Sequence, residues 1–276
     1  MTMKLVEALE VVARTDPGMV RGHNEDAVFG DVSRGLVILA DGMGGYNAGE
    51  VASGMAITLL STGLQPLIDS CRPQESDPAT GKRLSHVHIA QQVAITNDSI
   101  FKAAQSQPLY AGMGTTLVVA WFYENQMTVG HIGDSRLYRL RGEAFSQVTR
   151  DHSLLQEQLD SGMISAEEAK FSQNKNLVTR ALGVDPEVEV EIHDYDVLPG
   201  DIYLLCSDGL NDMVEDEEIG LTLQTLQNNL ELAADQLIQM ANDNGGRDNV
   251  SAILVKVRGD FAAPVCWWRK LLAWFK

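Results

Sequence analysis

Four aspartates stand beside apolar runs that predict strands: Asp41, Asp134, Asp208 and Asp248. A place where a rigid strand meets a loop is where functional side chains usually lie. Mg²⁺ and Mn²⁺ prefer oxygen ligands, so carboxylates brought together in this way could hold divalent cations. An Asp-Gly pair after a strand is usually only a turn, as Asp41-Gly42 and Asp208-Gly209 could be. Spacing alone leaves both interpretations open.

Residues 21–26 read R-G-H-N-E-D and add a cation to this set of carboxylates. The guanidinium of Arg21 could bind a phosphate dianion through two parallel hydrogen bonds. Glu25 and Asp26 supply two more carboxylates. An ordinary surface ion pair involving Arg21 explains the segment equally well when it is judged alone.

The elements that would position these residues follow from hydrophobic periodicity. Strands are predicted at residues 6–15, 35–40, 114–122, 127–132, 137–140, 144–148, 188–192, 202–206 and 250–257. One helix is predicted to begin near Ala48, and two others are predicted at 87–104 and 230–241. The four strands between 114 and 148 are joined by short turns, which predicts one antiparallel meander. The whole pattern predicts a single α+β domain over residues 1–258, in which helices cover antiparallel sheets.

Composition narrows the class of function. The formal net charge is -17, and such a surface repels nucleic acid, so we expect neither DNA nor RNA as a partner and disfavour a nuclease. The three cysteines, Cys71, Cys206 and Cys266, show neither zinc spacing nor a disulfide framework. We find no signal peptide and no apolar run of about 20 residues, so we expect a cytoplasmic protein.

Residues 259–276 form a basic, aromatic tail. Three of the four tryptophans are Trp267, Trp268 and Trp274, and Arg269, Lys270 and Lys276 supply positive charge. This composition is typical of a short helix that lies on a membrane surface or docks to a partner protein. Folding back onto its own domain is the alternative. We therefore expect a cytoplasmic protein that is peripheral at the inner membrane.

Seven segments together resemble the protein phosphatase 2C family, the metal-dependent PPM phosphatases, in its bacterial branch. They are R-G-H-N-E-D (21–26), L-A-D-G-M-G-G (39–45), G-T-T (114–116), G-D-S-R-L-Y (133–138), T-R-A-L-G (179–183), C-S-D-G-L (206–210) and G-R-D-N-V-S (246–251). Their order is that of the family, and the resemblance covers residues 6–257. It implies a four-layer α-β-β-α sandwich, in which two packed antiparallel sheets are flanked by helices.

The resemblance also implies a site for two Mn²⁺ or Mg²⁺ ions at one edge of the sandwich. Asp41 would bridge both ions and the Gly42 carbonyl would bind one, while Asp208 and Asp248 complete the pair. A third, weaker ion would be held by Asp134 with Asp208.

Further roles follow from the same resemblance. Glu25 and Asp26 would act through coordinated water or orient the ligands, and Asn249 and Ser207 would orient the aspartates beside them. A hydroxide that bridges the ions would attack phosphorus, while Arg21 neutralises the phosphoryl oxygens. Catalysis would thus depend on Arg21, Asp41 and Asp208. Residues 151–170 correspond to the family's mobile flap beside the site.

The implied activity is hydrolysis of phosphoserine and phosphothreonine in proteins, opposing a cognate Hanks-type kinase in bacterial signalling. The alternative is a catalytically weak module that binds phosphoproteins, and chelation followed by Mn²⁺ addition separates the two. The general acid is unassigned. Bacterial members often have a histidine where this chain has Tyr46, and His23 is a less favoured substitute.

Overall fold

A computed structural model describes residues 4–45, 48–169 and 177–262. The helices are α1 Leu5–Ala8, α2 Ala48–Ser70, α3 Leu84–Ser106, α4 Leu154–Asp160, α5 Ala166–Ala169, α6 Asp208–Asn211, α7 Asp216–Leu226 and α8 Leu230–Asp243. The strands are β1 Leu9–Asp16, β2 Asp26–Asp31, β3 Leu36–Met43, β4 Gly114–Thr115, β5 Leu117–Tyr123, β6 Gln126–Ile132, β7 Arg136–Arg141, β8 Ala144–Gln147, β9 Glu191–Asp196, β10 Ile202–Cys206 and β11 Val250–Val257.

These strands form two antiparallel sheets. One has the order β1-β11-β10-β7-β8, and the other has the order β2-β3-β5-β6-β9 with β4 paired to β3. The inner faces of the sheets share a buried cluster that includes Val37 and Leu39 of β3 and Leu205 of β10. The sheets therefore pack face to face, as the resemblance implied.

Helices cover both outer faces. Helices α2 and α3 bury apolar side chains against the sheet that contains β3, where Leu36 and Ile38 point outward. Helices α7 and α8 do the same on the other sheet. Successive residues of β3 thus alternate between two cores, because side chains along a strand point to opposite faces. This explains the unbroken apolar run at 35–40 and confirms the four-layer α+β sandwich.

The apolar composition of helix α2 also fits a membrane-spanning helix. It has 23 residues, and the mean hydropathy of 1.4 in an 18-residue window would allow it to span a membrane by length and composition alone. Its residues Ala52, Ala56 and Leu60 are fully buried in the core shared with β3 and α3. One face of α2 therefore belongs to the core of the domain.

Several predicted elements are confirmed and several are wrong. Strands β10 and β11 and helix α8 lie where the periodicity placed them. The single meander over 114–148 is wrong, because β5 and β6 pair in one sheet while β7 and β8 pair in the other. The strand at 188–192 is displaced to Glu191–Asp196: Val188 and Val190 pack on the core before strand pairing begins. The strand predicted at 6–15 begins instead with the short helix α1.

An ion pair with a buried carboxylate lies at the end of this sandwich opposite the aspartates. The Asp201 side chain is 1% exposed and accepts hydrogen bonds from Arg141 Nε at 2.8 Å and Arg141 Nη2 at 2.7 Å. The Leu198 amide and the Tyr203 hydroxyl donate to the same carboxylate. Removing the carboxylate leaves the buried Tyr203 hydroxyl without this acceptor.

We expect Asp201→Ala to lower the free energy of unfolding by about 2 kcal/mol, because the buried Tyr203 hydroxyl loses its acceptor and Arg141 loses its ion pair. Thermal unfolding followed by circular dichroism measures this. Asp98→Ala is the control, since its pair with Lys102 is exposed on both sides and should leave the melting temperature nearly unchanged. Equal melting temperatures for the two variants would show that the Asp201 pair is not a stabilising element.

Candidate metal centre

The predicted aspartates meet at one edge of the sandwich. In one sheet, Asp26 at the start of β2 lies opposite Asp41 in β3. In the other sheet, Cys206 at the end of β10 lies opposite Ala252 of β11 and Arg136 of β7. The chain therefore leaves β10 toward Asp208 at the same edge where Asp248 precedes β11 and Asp134 precedes β7. We had expected Asp41 to follow the end of a strand, but it lies within β3.

The carboxylates perturb one another strongly. Burial raises the pKa of Asp41 well above its usual value of 3.8, and the charges of Asp26, Asp208, Asp134 and Asp248 raise it further. Burial also raises the pKa of Asp208, and Asp134 is the first of four other carboxylates that add to this shift. Mutual repulsion of this kind shows that the side chains share one small volume.

Asp26 and Asp134 show the same effect at the two sides of the cluster. Burial raises the pKa of Asp26 to about 6, partly offset by hydrogen bonds from Ser251 and Ser207. The pKa of Asp134 also rises to about 6, first through burial and then through the charge of Asp151. Both side chains are at most 9% exposed, so water screens their charges poorly.

This donor set fits hard divalent cations. Carboxylate oxygens are the ligands that Mg²⁺ and Mn²⁺ prefer. The buried Oδ1 of Asp26 has no hydrogen-bond partner among the described residues, although buried polar atoms are normally satisfied. Cations would offset the repulsion among the carboxylates, which neutral hydrogen-bond donors do only in part.

Hydrogen bonds from neutral groups join the two sheets at this edge. Ser207 Oγ, which follows β10, donates to Asp26 Oδ2 at 2.8 Å and accepts from the Ser251 amide at 3.0 Å. We had expected Ser207 to orient its neighbour Asp208. It contacts Asp26 of the other sheet instead, so its hydroxyl fixes the distance between the sheets.

Asn249 holds the loop that carries the R-G-H-N-E-D segment. Its Oδ1 accepts from the Glu25 amide at 2.7 Å, and its Nδ2 donates to the carbonyls of Pro17 and His23. It contacts Asp248 through its backbone N–H, which donates to Asp248 Oδ1. The side chain therefore positions Glu25 and Asp26, while the main chain positions Asp248.

Gly42 allows helix α2 to approach β3 closely. A Cβ at this position would lie 2.1 Å from the Gly49 carbonyl oxygen, so only glycine fits. The Gly42 amide donates to the Glu25 carbonyl at 3.1 Å. This contact places Glu25 beside the start of α2 and next to Asp41.

Arg21 is the cationic residue that the sequence placed here. Its Nη2 donates to Asp248 Oδ2 at 2.7 Å, and the Arg21 side chain is 53% exposed. This ion pair raises the pKa of the guanidinium, which is charged at any physiological pH. A half-exposed guanidinium at the rim of a carboxylate cluster can bind an anion that approaches from solvent.

Two further residues affect the carboxylate cluster, although the sequence alone indicated no role for them. Asp212 lies one helical turn after Asp208, and its charge raises the pKa values of Asp208 and Asp134. The spacing of four residues could have revealed it, but α6 is too short to predict. Thr116, in the G-T-T segment, accepts from the Asp41 amide through its Oγ1 at 3.0 Å. Tyr46 lies outside the described residues, and His23 is exposed.

Both the sequence and the fold are similar to those of known proteins. A sequence model described as protein phosphatase 2C matches residues 21–255. The chain is 40% identical over 246 residues to the serine/threonine phosphatase stp of Listeria innocua, covering 88% of this chain and 94% of that one. The crystal structure of the Mycobacterium tuberculosis serine/threonine phosphatase PstP is similar with a TM-score of 0.80 at 38% identity, covering 91% and 100%. The catalytic domain of PstP in complex with two manganese ions has a TM-score of 0.78 at 38% identity, covering 91% and 99%.

The raised pKa values determine a pH dependence of stability. A carboxyl whose pKa rises on folding stabilises the protein below its unfolded value of 3.8 and loses that contribution as the pH rises through its folded value. The destabilisation of the EDTA-treated protein by Asp26 and Asp134 therefore grows as the pH rises from about 4 through about 6 and persists in full above that range. We expect the difference in melting temperature between Mn²⁺-saturated and EDTA-treated protein to widen as the pH increases from 5 to 7.

Differential scanning fluorimetry in both conditions measures this difference. Asp134→Asn is the matched variant: it removes one buried charge with little change in volume, so it should raise the melting temperature of the EDTA-treated protein at pH 7. A difference that stays constant from pH 5 to pH 7 would contradict the assigned repulsion.

Proposed function

The chain belongs to the protein phosphatase 2C family, and on that premise we propose that Asp41, Asp208, Asp248 and the Gly42 carbonyl hold its two catalytic cations. The protein is a metal-dependent serine/threonine phosphatase that uses Mn²⁺ or Mg²⁺. One observation supports the ligand assignment most strongly: burial and the charges of neighbouring carboxylates, Asp248 among them, raise the pKa values of Asp41 and Asp208. In this proposal, Asp134 and Asp208 hold a third ion, while Glu25, Asp26 and Asn249 orient the ligands.

The reaction is the hydrolysis of a phosphate monoester by water. Bound cations supply Lewis acidity that lowers the pKa of a coordinated water and neutralises charge on the phosphoryl group. Arg21 binds phosphoryl oxygens from the solvent side, because its ion pair with Asp248 holds the guanidinium over the cluster.

We propose that the substrates are phosphoproteins of a cognate serine/threonine kinase of the Hanks type. Similarity to the Listeria serine/threonine phosphatase over 88% of this chain supports the substrate class. The open rim at Arg21, which is half exposed, supports access by a phosphorylated side chain on a protein. The alternative of a weak binding module receives no support from the site, which retains every carboxylate assigned to the two cations.

Asp208→Asn should reduce turnover at least about 100-fold without unfolding the protein, because the substitution removes metal-binding charge and leaves core packing intact. Hydrolysis of p-nitrophenyl phosphate and of a phosphothreonine peptide, with Mn²⁺, with Mg²⁺ and with EDTA, measures the effect.

Asp98→Asn is the control, because Asp98 lies on the exposed face of α3 and should leave turnover unchanged. Unchanged turnover in Asp208→Asn would refute its assignment as a ligand. If the folded wild-type protein hydrolyses neither substrate with any metal, the result would favour the phosphoprotein-binding module.

We further propose that the tail binds an anionic membrane surface. The tail lies outside the described residues apart from 259–262, so its composition carries the proposal. Tryptophans with interspersed Arg269, Lys270 and Lys276 combine interfacial burial with attraction to anionic headgroups. The remainder of the chain is acidic, so this short segment concentrates positive charge at one end.

Deletion of residues 265–276 should abolish sedimentation with phosphatidylglycerol vesicles and leave hydrolysis of p-nitrophenyl phosphate unchanged. A variant with Arg269, Lys270 and Lys276 replaced by glutamine separates charge from aromatic burial. Equal sedimentation of the full chain and the truncated chain would overturn the proposal, and retention of a protein partner alone would assign the tail to protein docking.

A further inference from the structure

Three consecutive residues, 150–152, are fixed to the body of the protein by side chains from other elements. His131 of β6 donates from Nε2 to the Arg150 carbonyl at 2.9 Å, since a carbonyl can only accept. Arg136 of β7 contacts both oxygens of Asp151, the closest through Nη2 at 2.7 Å. The ring of His152 stacks on that of His131 with centroids 4.7 Å apart. The chain is therefore held firmly just before α4.

His152 makes an unusual two-point contact with Gly133, the residue before Asp134. The His152 amide donates to the Gly133 carbonyl at 2.9 Å. The Gly133 amide donates to Nδ1 of the His152 ring at 3.2 Å. The Gly133 N–H belongs to the Ile132–Gly133 peptide and the Gly133 carbonyl to the Gly133–Asp134 peptide, so one residue binds the two peptide planes on either side of Gly133.

The segment on the other side of Asp134 is fixed as well. Ser135 Oγ hydrogen bonds to Thr116 Oγ1 at 2.7 Å, and this Oγ1 also accepts from the Asp41 amide. Gly133 has a φ of +99°, and a Cβ there would lie 2.8 Å from the Thr116 side chain. Asp134 therefore lies between one residue held by His152 and another held by Thr116.

The direction of these hydrogen bonds determines the tautomer of His152. An amide N–H can only donate, so Nδ1 of His152 carries no proton. The neutral ring then carries its proton on Nε2, which faces Glu191 Oε2 at 3.3 Å. His131, His152 and Glu191 are close enough together to suggest a metal site, but a protonated Nε2 cannot coordinate a cation. This cluster is a hydrogen-bonded support and not a second metal centre.

We propose that His152 is a positioning residue for Asp134: its ring holds the Ile132–Gly133 peptide and its amide holds the Gly133–Asp134 peptide. Together these two bonds fix the backbone that places the Asp134 carboxylate in the cluster with Asp208 and Asp41. The proposal rests on the function proposed above for Asp134 as a ligand of the third, weaker cation. The His152 carbonyl also accepts from the Thr179 amide at 2.8 Å. The same residue therefore also holds the chain at Thr179.

Two substitutions of similar polarity separate positioning from simple packing. In His152→Asn, Oδ1 can replace Nδ1 as the acceptor for Gly133. In His152→Gln, the amide reaches the Nε2 position near Glu191 and leaves the Gly133 amide without its acceptor. Loss of a residue that supports a metal ligand typically weakens metal affinity about 10–100-fold. We expect Gln and Ala to weaken the low-affinity Mn²⁺ site about 10-fold, and Asn to weaken it less than about 3-fold.

Isothermal titration calorimetry with Mn²⁺ measures this affinity without turnover, and the Mn²⁺ concentration for half-maximal hydrolysis of p-nitrophenyl phosphate is the second readout. His193→Gln is the control, because His193 contacts Glu191 at 2.8 Å and is exposed. It should match the wild type. Equal weakening by Asn and Gln, or wild-type affinity in Ala, would overturn the proposal.

Asp134→Asn distinguishes failure of this inference from failure of its premise. If Asp134→Asn leaves all Mn²⁺ sites intact, Asp134 is not a ligand and the proposed third site is wrong. If Asp134→Asn removes the weak site while His152→Gln does not weaken it, only the role of His152 is wrong. NMR of the ring nitrogens needs no substitution: an Nδ1–H tautomer of His152 in the wild-type protein would also overturn the proposal.

Discussion

Repulsion among the carboxylates at one edge of the sandwich is the constraint that the rest of the structure must meet. Asp26, Asp41, Asp134, Asp208 and Asp248 come from both sheets, and Asp26 and Asp134 are buried where water screens their charges weakly. A fold that gathers such groups has lower stability at neutral pH until cations bind. The carboxylate cluster thus lowers the free energy of unfolding. The three apolar layers and ion pairs such as Arg141 with Asp201 raise it.

Neutral hydrogen bonds hold this edge together without adding charge. Ser207 joins the sheets through Asp26, Thr116 fixes the Asp41 backbone, and Asn249 fixes the loop before Glu25. Each donor or acceptor comes from a different strand or loop. The geometry of the site therefore depends on the packing of the two sheets, and a change in that packing would move the ligands relative to one another.

The crossing between the sheets at residues 133–135 connects the site to His152. Asp134 lies in this crossing, and the residues on either side of it are bound by His152 and Thr116. Since His152 also accepts a hydrogen bond from the Thr179 amide, one residue joins the backbone beside a proposed metal ligand to the chain at residue 179.

The sequence by itself determined the family, the strands β10 and β11, helix α8 and the identity of most edge aspartates. These features depend on local periodicity and on short motifs, which are visible in a few neighbouring residues. Only the tertiary structure decided that β6 and β7 belong to different sheets, that Ser207 donates a hydrogen bond to Asp26 and that Asp212 lies close enough to raise the pKa of Asp208. Alternation shows which face of a strand is buried but not which strand lies beside it. Ser207 and Asp26 are 181 residues apart, so their contact exists only because two sheets pack face to face.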